Sequence, residues 1–211
     1  WLEFPEAPRE HLYTNQVMPY YRAEHLLIGF PTRYLPDRGS LTEGLFMSSR
    51  DGLTFHRWAE AFIRPGLNRD KWHNRSNYIW WGLVETDSPL PGAGRELSLY
   101  TNEGYYYEGG AAKTRRYTCR IDGYVSLHAS LAGGAALTKP LRFQGNNLLV
   151  NFSTSAAGTL RVQIEDAAGA AISGFAFSDC PELYGDSVAQ AVKWQHGDVA
   201  ALAGRAIRLR C

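Results

Sequence analysis

The stretch "SSRDGLTFHRW", Ser48–Trp58, decides how the first half of the chain is read. A polar turn, Arg50-Asp51-Gly52, separates an apolar run (Leu45, Phe46, Met47) from an aromatic one (Phe55, Trp58). Asp-Gly favours a tight hairpin, because glycine accepts a positive φ and aspartate tolerates one. Asp51 is therefore read as a turn residue rather than a catalytic carboxylate. An echo lies in "TCRIDGYVSLHA", where Asp122-Gly123 follows Asp51 by 71 residues. Four short strands and their loops fill roughly 45–70 residues, the size of one propeller blade. The two turns thus point to a repeated four-stranded sheet.

Working outward, short apolar runs and period-2 alternation predict strands near 12–21, 25–30, 43–49 and 54–63. A polar loop follows, "RPGLNRDKWHNRS", then strands near 77–86, 96–101 and 115–130. No stretch in this half has a helical period or a capped start. From about residue 137 the texture changes: Ala and Gly rise and Trp becomes rare. Here "LTKPLRFQGNNLLVNFSTS" reads as strand, Gly-Asn-Asn turn, strand, and "GTLRVQIEDAAGAAISGFAFSD" as strand, turn, strand. "SVAQAVKW" and "GRAIRLRC" are two more strands. Leu160, Val162 and Ile164 alternate as in a half-buried strand. The expected organisation is a first β domain over 1–130 and a β-sandwich over 137–211, with the boundary near "ASLAGGAALTKP".

Composition narrows the function classes. Of 211 residues, 45% are hydrophobic and 20% charged, which suits a packed core and argues against wholesale disorder. A net charge of +1 argues against nucleic acid as a partner. No apolar run reaches the ~18 residues of a membrane span. "WLEFPEAPRE" is no signal peptide, so the compartment stays open; any targeting segment of an exported parent lies outside this chain. Cys119, Cys180 and Cys211 match no metal spacing, and the histidines show none either, so no metal and no cofactor are expected. The 6 Trp and 12 Tyr suit both β-core packing and sugar-stacking surfaces.

The run "YTNQVMPY…HLLIGFPTRY…EGLFMSSRDGLTFHRW…AFIRPG" resembles the later blades of the five-bladed propeller glycosidases of glycoside hydrolase families 32 and 43. "GGAALTKPLRF", "LLVNFSTSAAGTLRVQIEDAAGAAISGF" and "LYGDSVAQAVKW" resemble the C-terminal β-sandwich of bacterial family-32-like hydrolases. The resemblance implies an all-β chain: the last two or so blades of a propeller, then a jelly-roll-like sandwich, both incomplete. It implies a carbohydrate-active protein, the C-terminal portion of a hydrolase acting on an oligo- or polysaccharide. The catalytic carboxylates of that family sit on earlier blades, so they are expected upstream of Trp1. Two blades alone leave sheet faces uncovered, so missing blades or self-association are expected to cover them. A non-catalytic carbohydrate-binding module and a structural or protein-interaction domain remain as alternatives.

Candidate site residues follow from loop position. The loop entering the second blade carries Trp72, His73, Asn74 and Arg75, a stacking ring beside several hydrogen-bond donors. Loops expected on the same face hold Arg33, Tyr34, Asp37 and Arg38, and Asn102, Glu103, Tyr105, Tyr106 and Tyr107. Trp80-Trp81 is read as core on one side and channel wall on the other. A glycosidase needs two carboxylates at defined separation; Glu43, Asp51, Glu85, Glu96 and Glu103 are the candidates, and none sits in a recognisable catalytic motif. Asn74 and Asn151 open glycosylation sequons.

Overall fold

The computed structural model describes residues 2–105 and 112–211. The chain is all-β, with several antiparallel sheets and none closed into a barrel. It divides into two compact units, Trp1–Ile121 and Asp122–Cys211.

The first unit opens with β1 (His11–Leu12), β2 (Met18–Tyr20), β3 (Ala23–Gly29), β4 (Thr32–Leu35), β5 (Leu41–Gly44), β6 (Met47–Ser49) and β7 (His56–Arg57). β3 and β4 form one arm of a hairpin, β5 and β6 the other. Their register is unbroken from Leu35 opposite Leu41, through Thr32 opposite Gly44, to Leu27 opposite Ser49. β1 and β2 line the outer edge of β4 and β3, and Gln16, at φ 49°, separates them. β7 lies along β6. Four passes of chain therefore follow one antiparallel meander, hydrogen-bonded as β1-β4-β5 and β2-β3-β6-β7. Phe30, Leu45, Met47 and Phe55 are fully buried beneath it. Phe30, Phe46 and Phe62 meet with ring centroids 5.6–5.8 Å apart.

The second sheet holds β8 (Tyr78–Ile79), β9 (Val84–Asp87), β10 (Arg95–Glu103) and β11 (Lys113–Arg120). β8 and β9 share one side of β10, with Tyr78 opposite Asn102 and Val84 opposite Ser98. Six residues on one side thus span four on the other, a bulge centred on Gly82 at φ 108°. β11 covers the other side of β10, from Glu96 opposite Arg120 to Glu103 opposite Lys113. The strand expected over 115–130 ends at Arg120. Asp122 takes φ 59°, which breaks the extended run, and 124–130 joins no sheet. The two Asp-Gly turns also differ: at the first, Gly52 (φ 78°) takes the left-handed conformation, not the aspartate.

Asp51 behaves as a turn residue. Its Oδ1 accepts from the backbone N–H of Leu53 (2.9 Å) and Thr54 (2.8 Å) and from Ser49 Oγ (3.0 Å). These bonds pull its carboxyl down to about 2 from 3.8. The ionised form is thus the one the fold prefers, and its contribution, complete above pH ~4, is lost as pH falls toward ~2. Asp51→Asn should lower the melting temperature at neutral pH. It should also make the acid-side decline shallower than in the parent. Parallel pH–melting curves of the two proteins check this; identical slopes below pH ~4 would contradict it.

The two sheets meet where Gly44 lacks a side chain. A Cβ there would lie 2.5 Å from Ile79 Cδ1 and 2.8 Å from Cγ1, and Ile79 is fully buried. Gly44→Ala should therefore cost about 1–3 kcal/mol through overpacking. Ile79→Val should lessen that cost. Chemical denaturation of both single variants and the double variant measures the coupling; strict additivity would show that the two positions do not share space.

The second unit contains β12 (Leu148–Ser153), β13 (Gln163–Asp166), β14 (Asp186–Val192) and β15 (Ile207–Arg210). β12 pairs with β14 and β13 with β15, both antiparallel. Both pairs feed one apolar cluster: Val192 from β14, Ile164 from β13 and Ile207 from β15 surround Phe175 and Trp194. Trp194 is buried and donates its indole N–H to Val162 O at 2.9 Å, so burial leaves no donor unsatisfied. Two expected strands are reduced to bridges. Residues 137–143 meet β15 through isolated bridges, Leu137 to Arg210 and Leu141 to Ile207, with Thr138 bonded to Leu209 between them, and 171–177 bridges Glu165 at Ala171 before Gly174 turns the chain at φ 84°.

Candidate functional site

The loop between the two sheets of the first unit is held by buried amides and hydroxyls. Asn68 Oδ1 accepts from the N–H of Asp70 (3.1 Å) and caps a short 3-10 turn, Arg69–Lys71. Ser76 and Asn77 are fully buried at the loop's end. Ser76 Oγ donates to Asp70 O (3.3 Å) and accepts from Gly104 N–H (3.0 Å). Asn77 Nδ2 donates to Thr42 O (3.0 Å) and Lys71 O (3.1 Å), while its backbone N–H donates to Asn102 O (2.9 Å). Asn102 Nδ2 donates back to Arg75 O (3.0 Å). Arg75 and Asn77 both take φ 64°, a conformation that asparagine tolerates well. The structure thus brings the Trp72–Arg75 loop and the Asn102–Tyr105 strand end together, two groups chosen separately from sequence.

Two rings stand at this junction. Trp72 is 52% exposed, and its indole N–H is tied to Gly66 O at 2.7 Å. Tyr105, 47% exposed, follows the glycine bonded to Ser76. His73 and Asn74 are partly buried and Arg75 is exposed. Tyr106 and Tyr107 lie outside the described residues. Elsewhere in the unit, Trp81 is 67% exposed with its N–H on Val17 O at 3.1 Å. Tyr13 stacks on Tyr78 with centroids 5.7 Å apart.

Beneath the loop, Glu103 is 2% exposed and ion-paired. Arg115 grips it with two bonds, Nη2 to Oε2 at 2.9 Å and a shorter one from Nε to Oε1. Lys71 Nζ lies 3.2 Å from the same Oε1 and also donates to the Tyr117 hydroxyl. Burial pushes the Glu103 carboxyl up, but Arg115 and Lys71 outweigh it and hold the group below its usual value. Sequence reading selected Glu103 but missed Lys71, Arg115 and Tyr117. The signal was there in "KTRRY": the alternation puts Lys113, Arg115 and Tyr117 on one face of β11.

The other candidates have structural partners. Arg33 Nη1 donates to Glu43 (2.6 Å), and its Nη2 reaches Glu10 and Ala59 O. Glu10 also accepts from the buried Arg57 at 2.6 Å. Tyr34 shares a hydroxyl hydrogen bond with Ser40 (2.9 Å), and Asp37 and Arg38 are exposed on a 3-10 turn, Pro36–Arg38. Glu85 accepts from the Tyr21 hydroxyl (2.8 Å) and faces Arg95 Nε (3.4 Å). Glu96 accepts from Arg116 (2.8 Å). Each of the five candidate carboxylates therefore has a hydrogen-bonding or ionic partner of its own. In the second unit a cleft of about 400 Å³ is lined by Ser173, Gly174, Asp179 and His196, among others. His196 Nδ1 lies 3.1 Å from Asp179 Oδ1, and Asp179 Oδ2 accepts from Ala176 N–H, so the carboxylate also braces the turn. Among the described residues no cluster of His, Cys, Asp and Glu is placed to hold a metal ion.

Glu103→Gln should destabilise the chain by about 1–3 kcal/mol. Half-exposed Arg115 can rehydrate, which keeps the cost below that of stranding a fully buried charge. Because the folded carboxyl sits low, its stabilisation is present above the unfolded pKa of ~4.3 and lost as pH falls through the folded value. Urea titrations of parent and variant at pH ~7 and ~3 check this: the gap should narrow at the lower pH. A gap that widens on acidification would contradict the ion-pair account.

No family model, curated protein or solved structure matches this chain.

Proposed function

We propose that this chain binds carbohydrate through the aromatic-bearing junction of its first unit. The observation that carries the reading is Trp72 at that junction, half-exposed and pinned through its indole N–H to Gly66 O; Trp81, elsewhere in the unit, is exposed and tethered in the same way to Val17 O. A pinned ring offers its apolar face at little further cost in side-chain entropy. Sugars present apolar C–H faces to such rings and hydroxyls to the amides and charged groups beside them. Around Trp72 those groups are His73, Asn74, Arg75, Asn102 and Tyr105.

The finer architecture belongs to the same proposal. The four-pass meander and the sheet after it are taken as the last blades of a five-bladed propeller of the glycoside hydrolase 32/43 type. The second unit, with two strand pairs around one core, is taken as a jelly-roll-like sandwich. The catalytic carboxylates are taken to lie outside this chain, in keeping with the partnered state of Glu43, Asp51, Glu85, Glu96 and Glu103. The chain's own role is then binding, as in a non-catalytic carbohydrate-binding module.

Titration of an oligosaccharide panel against the parent chain, Trp72→Ala and Trp81→Ala tests the reading. Loss of Trp72 should weaken binding by about tenfold or more, as removal of an aromatic anchor does. Aryl glycosides should not be turned over. Binding untouched by either substitution would move the site elsewhere, and hydrolysis abolished by Glu43→Gln or Glu85→Gln would place a catalytic centre in this chain.

A further inference from the structure

Two of the chain's three cysteines, Cys180 and Cys211, lie in and against the apolar cluster of the second unit. Strand alternation sets Ile207, Leu209 and Cys211 on one face, and all three contribute to that cluster. Across the ladder, Val162 and Ile164 are fully buried in the same cluster. Ile164 lies opposite Leu209 and Gln163 opposite Arg210, so the next step along the ladder sets Cys211 on the side of Val162. Val162 gives its N–H to Cys180 Sγ at 3.4 Å and accepts at its carbonyl from Trp194, not from β15. Facing residues that share no hydrogen bond are the close rungs of an antiparallel ladder, with Cα atoms ~4.5 Å apart. Cys180 and Cys211, 31 positions apart in sequence, thus converge on one residue.

Their surroundings differ in a useful way. Both are thiols in this structure. Cys180 is buried, with its S–H on Pro181 O at 3.5 Å. Cys211 is half-buried and open to solvent on one side, while its backbone N–H and carbonyl both bond to Ala136 at 2.9 Å. Burial pushes the Cys211 thiol up, and the neighbouring Cys180 pushes it further, as two sulfurs that repel when both ionise must do. Cys119 is remote from this arrangement in sequence and sheet: it sits on β11 of the first unit, opposite Leu97. A single buried cysteine is an ordinary small apolar residue. Two that approach one rung of a ladder offer a bond that no alanine or valine could make there. The strand they would fasten also matters, because β15 pairs with β13 on one side and bridges Leu137 and Leu141 on the other.

We infer that Cys180 and Cys211 are a redox-active pair that closes to a disulfide and clamps the end of β15 to the core of the second unit. The oxidant is a small disulfide such as oxidised glutathione. Cys211, the accessible member, loses its proton, and its thiolate attacks one glutathione sulfur and releases the other as glutathione thiolate. Cys180 then loses its proton and attacks Cys211 Sγ in the mixed disulfide, releasing the second glutathione. Two S–H bonds are lost and one S–S bond forms in the protein. The two electrons and two protons leave as two glutathione thiols. Buried Cys180 needs no contact with the oxidant, because its partner brings the reacting sulfur to it.

Incubation of the reduced full chain with oxidised glutathione tests this, followed by mass spectrometry, peptide mapping without reduction, and scanning calorimetry. The expected product is a monomer two hydrogens lighter than the reduced chain, with Cys180 joined to Cys211 and Cys119 still a thiol. Its second unit should melt about 5 °C or more above that of the reduced chain, since the bond closes a long loop. Dithiothreitol should reverse both changes. Formation should speed up as pH rises from ~7 to ~9, because the raised Cys211 thiol must ionise to attack. Cys211→Ala should form no internal disulfide and gain no melting temperature on oxidation. The reduced and oxidised forms are the same polypeptide, so the comparison stands even where a core variant such as Cys180→Ala fails to fold. A glutathione adduct that persists on Cys211 while Cys180 stays reduced would overturn the pairing. So would disulfides that run through Cys119 or between chains. A Cys180–Cys211 bond that leaves the melting temperature unchanged or lowers it would overturn the clamp.

Discussion

The first unit depends on the side-chain amide of Asn77. This residue is fully buried and reaches three parts of the chain at once. Its two amide hydrogens go to Thr42 O on the meander and Lys71 O in the loop, and its backbone N–H goes to Asn102 O on the second sheet. Its φ of 64° turns the chain from loop into strand. The buried Oδ1 accepts no bond, a cost of roughly 1–3 kcal/mol that the position bears for the sake of its donors. A leucine would supply none of the donors, and an aspartate would bury a charge. Next to it, Thr42 Oγ1 donates to Ser76 O and the gap left by Gly44 admits Ile79. Polar satisfaction and close packing thus meet at one point and set where the Trp72 loop can stand.

Ion pairs repeat one device across the molecule. Arg33 and Arg57 share Glu10 in the meander, Arg115 and Lys71 share Glu103 in the second sheet, and Arg210 holds Glu165 in the second unit. Buried pairs of this kind add little net stability, because desolvation offsets the attraction, yet removing one partner is costly. They specify register: Arg33 reaches Glu43 because the two face each other across β4 and β5. At Glu103 the same engagement also fixes the charge state. A general acid or nucleophile must change its proton or bond state at neutral pH, and Glu103, held ionised by two cations, is poorly suited to do so.

Much of the first unit was legible because alternation is a local signal. The pass at 25–30 alternates through Leu26, Ile28 and Phe30, the passes at 12–21, 43–49 and 54–63 show as short apolar and aromatic runs, and Asp51-Gly52 marks the turn between two of them. The second Asp-Gly misled because the dipeptide does not say which residue takes the positive φ; at Asp122 it is the aspartate, and the strand stops. In the second unit "AISGFAF" has a strand's composition, but Gly174 packs against the backbone of His196 in a left-handed conformation, and no sequence rule announces that contact. At the site, Trp72–Arg75 and Asn102–Tyr105 could be chosen as loops from sequence. Their meeting through Ser76 and Asn77 is a long-range fact that one-dimensional reading does not reach.

Exposure of tryptophan gains meaning only with its tether. A tryptophan buries about 150–250 Å² when packed, so leaving half of it in water forgoes ~100 Å², or ~2.5 kcal/mol. A lone exposed ring is common and calls for no account. Trp72 and Trp81 differ because each has its one polar atom spent on a carbonyl, so neither ring is free to fold back onto the surface. What the fold maintains at each is an apolar ring face held in water by one hydrogen bond.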